Sequence, residues 1–173
     1  MKYRWMFVLA FTVVAAGICS SPVQSQGKKG DAAVNRARKQ ALMLDDLYKT
    51  AVVIVTTNYV TESADLAAGD AFQALFKVMK DKGYHEVRLL DASGEPIDDD
   101  NIPKDGFEKK AVEAIKKGAA NYEQVMVKDG KRYLQYATPV PVVMEKCIMC
   151  HDNYKDAPKG AAIGALSYTI PVE

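Results

Sequence analysis

Apolar residues recur at helical spacing through the first half of the chain and at strand spacing through most of the second. Over 35–60, Leu44, Leu47, Ala51, Ile54 and Val55 fall on one helical side and predict a long helix. Its second half, 51–57, is rich in β-branched residues and also fits a strand. Residues 61–69 read as a loop or short turn. A second helix is predicted over 70–82, with Phe72, Leu75, Phe76 and Met79 on one face and Gly83 as its stop.

The pattern then changes period. Over 85–91, His85, Val87 and Leu89 alternate with Glu86 and Arg88, which predicts a half-buried strand. The turn Ala92-Ser93-Gly94-Glu95 and an extended Pro96-Ile97 follow. Asp98-Asp99-Asp100-Asn101 lacks the spaced ligands and glycine of a calcium loop and reads as a solvated turn and cap region. A third helix is predicted over 105–117, with Phe107, Ala111, Val112 and Ile115 inward and Gly118 closing it. Residues 122–127 and 132–140 form a hairpin about Asp129-Gly130. After a loop over 153–160, residues 162–172 make a last strand. About five strands with hairpin connections predict an α+β domain, an antiparallel sheet with helices to one side.

The first 25 residues have a different grammar. Lys2 and Arg4 precede an apolar run, Trp5 to Ile18, broken only by Thr12, and small and polar residues follow. The run is short for a membrane span, which needs about 20 residues. The layout is that of a secretory signal, with Val23-Gln24-Ser25 as a cleavage site and a mature start near Gln26. Cys19 follows Ile18, which is larger than the residue a lipoprotein signal places there. Residues 26–34 read as a flexible segment and 35–173 as one domain, with no stable membrane insertion after cleavage. With 23 Lys and Arg against 22 Asp and Glu, the net charge of +1 gives no reason to expect nucleic acid or an acidic membrane surface as partner.

The chemistry concentrates at Cys147-Ile148-Met149-Cys150-His151. Cys-x-x-Cys-His is the attachment signature of a c-type haem. Two thiols add across the two vinyl groups of one porphyrin, and the next residue, His151, is held where its imidazole reaches the iron. A redox dithiol would want a thioredoxin-like strand before it, and a structural zinc site needs four ligands. Outside the motif the chain offers only Cys19 and His85 as further Cys or His. The motif therefore predicts one covalent haem c held by Cys147, Cys150 and His151. Its attachment requires export, to the periplasm or an equivalent compartment, which agrees with the leader.

From about Gly83 to Val172 the chain resembles the c-type haem family protein, whose haem sits in a PAS-like domain. The residues that carry the likeness are Val87-Arg88, Asn101-Ile102-Pro103, Phe107-Glu108, Ala137-Thr138-Pro139, the haem motif, and Gly160-Ala161-Ala162-Ile163-Gly164-Ala165-Leu166-Ser167. The resemblance implies a PAS-like sheet cupping the haem, with a long N-terminal helix across its other side. Asp98-Asp99-Asp100 stands where the family often has Arg-Asn-Pro. Some members take a sixth iron ligand from an N-terminal-region cysteine, and the mature chain has none.

The sixth position separates an electron carrier from a sensor of redox state or of a gas such as NO or CO. His85 is one possible ligand, or else a partly buried histidine with a hydrogen-bond partner. Met43, Met79 and Met126 could supply a thioether, or fill the core. Tyr59 or an open site are the remaining options; Met144 and Met149 lie too close to the attachment turn. Tyr133, Tyr136 and Tyr168 are haem-pocket candidates. No catalytic constellation accompanies the motif, so the expectation is an exported monohaem electron-transfer protein and not an enzyme, with sensing as the alternative. Its redox partners and oligomeric state are not encoded in any motif.

Overall fold

A computed structural model describes residues 30–59, 68–104, 106–151, 154–158 and 160–173, apart from the side chains of Met149 and Cys150. The leader over 1–25 and most of the 61–69 turn lie outside these residues. Helix α1 spans Ala32–Tyr59, α2 Ala68–Asp81, β1 Glu86–Asp91, α3 Gly106–Lys116, β2 Tyr122–Lys128, β3 Lys131–Pro141, α4 Glu145–Cys150 and β4 Ala162–Pro171. Of the segment expected to be flexible over 26–34, residues 26–29 lie outside the described residues and 32–34 are helical, because Asp31 caps α1. Its carboxylate accepts from the Ala33 and Val34 amides at 3.0 and 3.2 Å, so the helix begins at Ala32.

Both glycines predicted to stop helices do so in the same way. At Gly83, φ is 74°, the Tyr84 amide donates to the Met79 carbonyl, and the Gly83 amide donates to Lys80. At Gly118, φ is 92°, Ala119 donates to Ala114, and Gly118 donates to Ile115. This paired pattern satisfies two orphan carbonyls and needs a left-handed residue, which glycine adopts without strain. Asp129 and Gly130 take φ of 51° and 72°, as a tight two-residue hairpin requires.

Among the described residues the sheet has four strands, in the order β1-β4-β3-β2, with every neighbouring pair antiparallel. The expectation of about five strands fails at Pro96-Ile97. Asp91 accepts from the Ser93 and Gly94 amides and turns the chain away after β1, and Pro96 has no amide to offer a ladder. The helices also do not lie on one side. Strand alternation sends Val87, Leu134, Tyr136, Leu166, Tyr168 and Ile170 toward α1 and α2, and sends Leu90, Ala137 and Ala165 toward α3. Each face thus has its own apolar cluster.

Helix α1 keeps part of the predicted stripe, with Leu44 buried and Ala51 and Val55 packed against the core, but its fully buried face is set differently. Val34, Ala37, Ala41, Leu44 and Tyr48 face the sheet at alternating spacings of three and four, while Leu47 and Ile54 are more than half exposed. Large residues drew the expectation outward. The small Ala37 and Ala41, 3% and 0% exposed, let the helix backbone approach the sheet.

Gly164 sits where β4 crosses the end of β1. A Cβ built there would lie 2.8 Å from the Leu90 carbonyl oxygen, closer than such atoms approach. Gly164→Ala is expected to push β1 from β4 and lower stability by about 1–3 kcal/mol, the usual range for overpacking. A urea midpoint equal to that of the unsubstituted protein would contradict this contact.

Candidate functional site

Helix α4 carries the Cys-x-x-Cys-His motif at the end of the sheet where β3 finishes and β4 begins. Cys147 lies within α4, and His151, four residues on, is its C-cap, with φ -124° and ψ 65°. The His151 amide donates to the Cys147 carbonyl at 3.1 Å and closes the last turn. Cys147 is half-buried with a free thiol. The side chain of Cys150 lies outside the described residues.

Two devices fix α4 in place. The Lys146 ammonium donates to the carbonyls of Thr57 at 2.9 Å and Thr56 at 3.4 Å. A cation there also satisfies the orphan carbonyls at the end of α1. Thr57 Oγ1 lies 3.9 Å from Met144 Sδ, in front of the first turn of α4. On the other side, the His151 ring stacks on Tyr154, with centroids 5.2 Å apart and planes 26° from parallel. The Tyr154 phenol lies 3.5 Å from an Asp91 oxygen at the end of β1. Next to this frame the core under α1 thins out. Val52, Val55, Leu89 and Val140 are only partly buried where they pack against it.

This arrangement suits a haem. Two thiols and an imidazole come from one short segment, and Val52, Val55, Leu89 and Val140 are apolar residues only partly buried against the core. His151 is exposed as a residue, yet protein around its ring desolvates the charged form and pushes the imidazole below its ordinary value. The ring is therefore neutral at pH 7, the form that has a nitrogen lone pair to give to a metal. A family model for the Tll0287-like proteins matches residues 30–170, a span that includes α1, the whole sheet and α4. The chain belongs to the Tll0287-like family. That membership is consistent with a haem-binding domain. No curated protein matches this Tll0287-like chain.

The structure does not bring His85, Met43, Met79 or Met126 to His151, whereas Tyr59 ends α1 two residues after Thr57, whose carbonyl Lys146 of α4 reaches. His85 precedes β1, whereas Tyr154 and His151 stand beside Asp91 at its far end. Six strand residues separate them, about 20 Å at roughly 3.3 Å per residue. His85 is 7% exposed, and its Nε2 is 2.9 Å from the Tyr48 hydroxyl. Burial lowers its pKa from 6.5 and raises that of Tyr48, so both are neutral. Met79 lies in the last turn of α2, which leads into His85, and Met126 pairs with Tyr133 at the same end of the sheet. Met43 points outward from α1 and is 61% exposed. Two open grooves, about 530 and 640 Å³, also border His85 and not His151.

Tyr136 and Tyr168 are core residues beneath α1, and Tyr133 is half-buried near the hairpin, so none of the three borders the motif. The Tyr168 hydroxyl instead donates to Asp45 at 3.0 Å. Thr138 donates to the same carboxylate oxygen, and Lys49 reaches Asp45 at 2.9 Å and Thr138 at 3.0 Å. Burial, then the Asp45 charge, pushes the Tyr168 phenol far above its ordinary range. This polar knot was not read from the sequence, although an Asp and a Lys four apart on a helix signal a pair. Tyr154 was missed as well; its signal is an aromatic residue three positions after the motif histidine.

The buried His85 gives a pH test. Its folded pKa lies below the ordinary 6.5, so below about pH 6.5 the unfolded chain binds more protons than the folded one. Stability falls as pH drops from 6.5 toward the lowered value. His85→Gln is expected to flatten denaturant midpoints measured between pH 7.5 and 5 relative to the unsubstituted protein. Identical slopes would contradict the buried neutral histidine.

Proposed function

We propose that this protein is an exported monohaem c-type haem protein that acts in electron transfer and is not an enzyme. The observation that carries the reading is the placement of Cys147 on α4 and of His151 at its C-cap, joined by the His151 amide to Cys147 carbonyl hydrogen bond, at the end of the sheet where β3 finishes and β4 begins. Family membership supports the haem, and the signal-like leader over 1–25 supports export to a periplasmic or equivalent compartment. Among the described residues no helix is long and apolar enough to cross a membrane. In this reading residues 35–173 work as one PAS-like unit.

The haem, when bound, supplies an iron that exchanges one electron between ferric and ferrous forms. Cys147 and Cys150 tether it through two thioethers, so its position does not depend on affinity alone. His151 offers a neutral imidazole nitrogen to the iron. The closed backbone turn and the Tyr154 stack restrict where that nitrogen points. Val52, Val55, Leu89 and Val140, partly buried against the core, would lend an apolar side to a bound haem, and solvent access helps set a reduction potential. His151 is exposed in the chain, which supports a haem tethered near the protein surface, where electrons would pass to and from a partner protein.

A second reading is a sensor of redox state or of a diatomic gas. It draws on the placement of His85, Met79 and Met126 at the opposite end of the sheet and of Met43 on the outer face of α1. A weakly held sixth position is what gas binding requires.

Visible spectra of the dithionite-reduced holoprotein, with and without CO, test the choice. Electron transfer through an iron with two protein ligands predicts bands that CO leaves in place. A prompt Soret shift under CO would overturn it in favour of the sensor.

A further inference from the structure

We propose that Tyr154 is a positioning residue for the proximal imidazole, fixing the plane of the His151 ring about its bond to the iron. The inference rests on the haem reading above and concerns a residue outside the attachment motif.

The geometry has three parts. First, the two rings face each other at 5.2 Å and 26°, the near-parallel stacking that aromatic pairs favour. Second, the backbone beneath them is locked on both sides. The His151 amide donates to Cys147, the Tyr154 amide to the His151 carbonyl at 2.9 Å, and the Ala157 amide to the Tyr154 carbonyl at 3.0 Å. Third, the far end of Tyr154 reaches Asp91, which is 8% exposed and held by the Ser93 amide and hydroxyl and by the Gly94 amide. The phenol at 3.5 Å is at the long limit of a hydrogen bond, and the ring face is the contact made directly with the imidazole.

A ring lying flat against an imidazole blocks its rotation out of plane. Metal-bound histidines are ordinarily oriented by partners beyond the ligand shell, and those partners tune the metal. Here the partner is an aromatic face, and it ties the orientation of the ligand to the Asp91 turn at the end of β1.

The test compares Tyr154→Phe, Tyr154→Trp, Tyr154→Leu and Tyr154→Met in the holoprotein. Haem content is measured first: an unsubstituted protein with no covalent haem defeats the haem reading, whatever Tyr154 does. On haem-loaded samples, the ferric electron paramagnetic resonance g-values and the midpoint potential are read. Phe and Trp, which keep a ring face, are expected to stay at the unsubstituted values. Leu and Met are expected to broaden or shift the g-values and move the potential beyond its reproducibility. If Leu does not accumulate, Met of similar volume decides. A folded Leu or Met variant with unsubstituted g-values and potential would overturn the role, as would Phe shifting both as far as Leu.

Discussion

The docking of α1 across the sheet is the contact on which the rest of the molecule depends. Val34, Ala37, Ala41, Leu44 and Tyr48 meet Leu134, Tyr136, Leu166, Tyr168 and Ile170, and several of these are wholly excluded from water. Each large apolar side chain so buried contributes about 1.5–3 kcal/mol. The stripe also fixes a direction. The same helix that covers the core delivers its last turn, with the carbonyls of Thr56 and Thr57, to Lys146 on α4. Core formation and assembly of the candidate site are therefore coupled through one rigid rod.

The polar knot at Asp45 gives this docking its register. Apolar stripes slide with little penalty, but a carboxylate that must meet Tyr168, Thr138 and Lys49 together allows one alignment. Displacing it would leave a buried charge without partners, which costs several kcal/mol. His85 and Tyr48 add a neutral pair on the same face, nearer the hairpin end. The hairpin end of this face carries the His85–Tyr48 pair, and the motif end carries Asp91, buried and held by the Ser93 and Gly94 amides.

Much of this was legible in the sequence, and the misses share a cause. Periodicity and glycine stops found the helices and hairpin, since Gly83, Gly118 and Asp129-Gly130 act through local backbone conformation. The attachment motif is legible because its chemistry is contained in five consecutive residues. What failed depends on contacts distant in sequence. Pro96-Ile97 looks extended, but its pairing is decided by a turn at Asp91. The inward face of α1 runs through Ala37, Ala41 and Asp45 as well as Leu44 and Tyr48, so the large Leu47 and Ile54 are left outside. His85 alternates onto the apolar side of its strand as expected, yet strand length, invisible to alternation, carries it about 20 Å from the end where His151 stands.

The account stands on a porphyrin bonded to the chain through Cys147 and Cys150. Intact mass spectrometry is the direct measurement, on protein recovered from the extracytoplasmic fraction of a host that matures c-type haem and then washed with acidified acetone. The account predicts that the colour stays with the polypeptide and that its mass exceeds the processed chain by one haem. A colourless protein at the bare polypeptide mass, with both motif thiols free to alkylation, would contradict it.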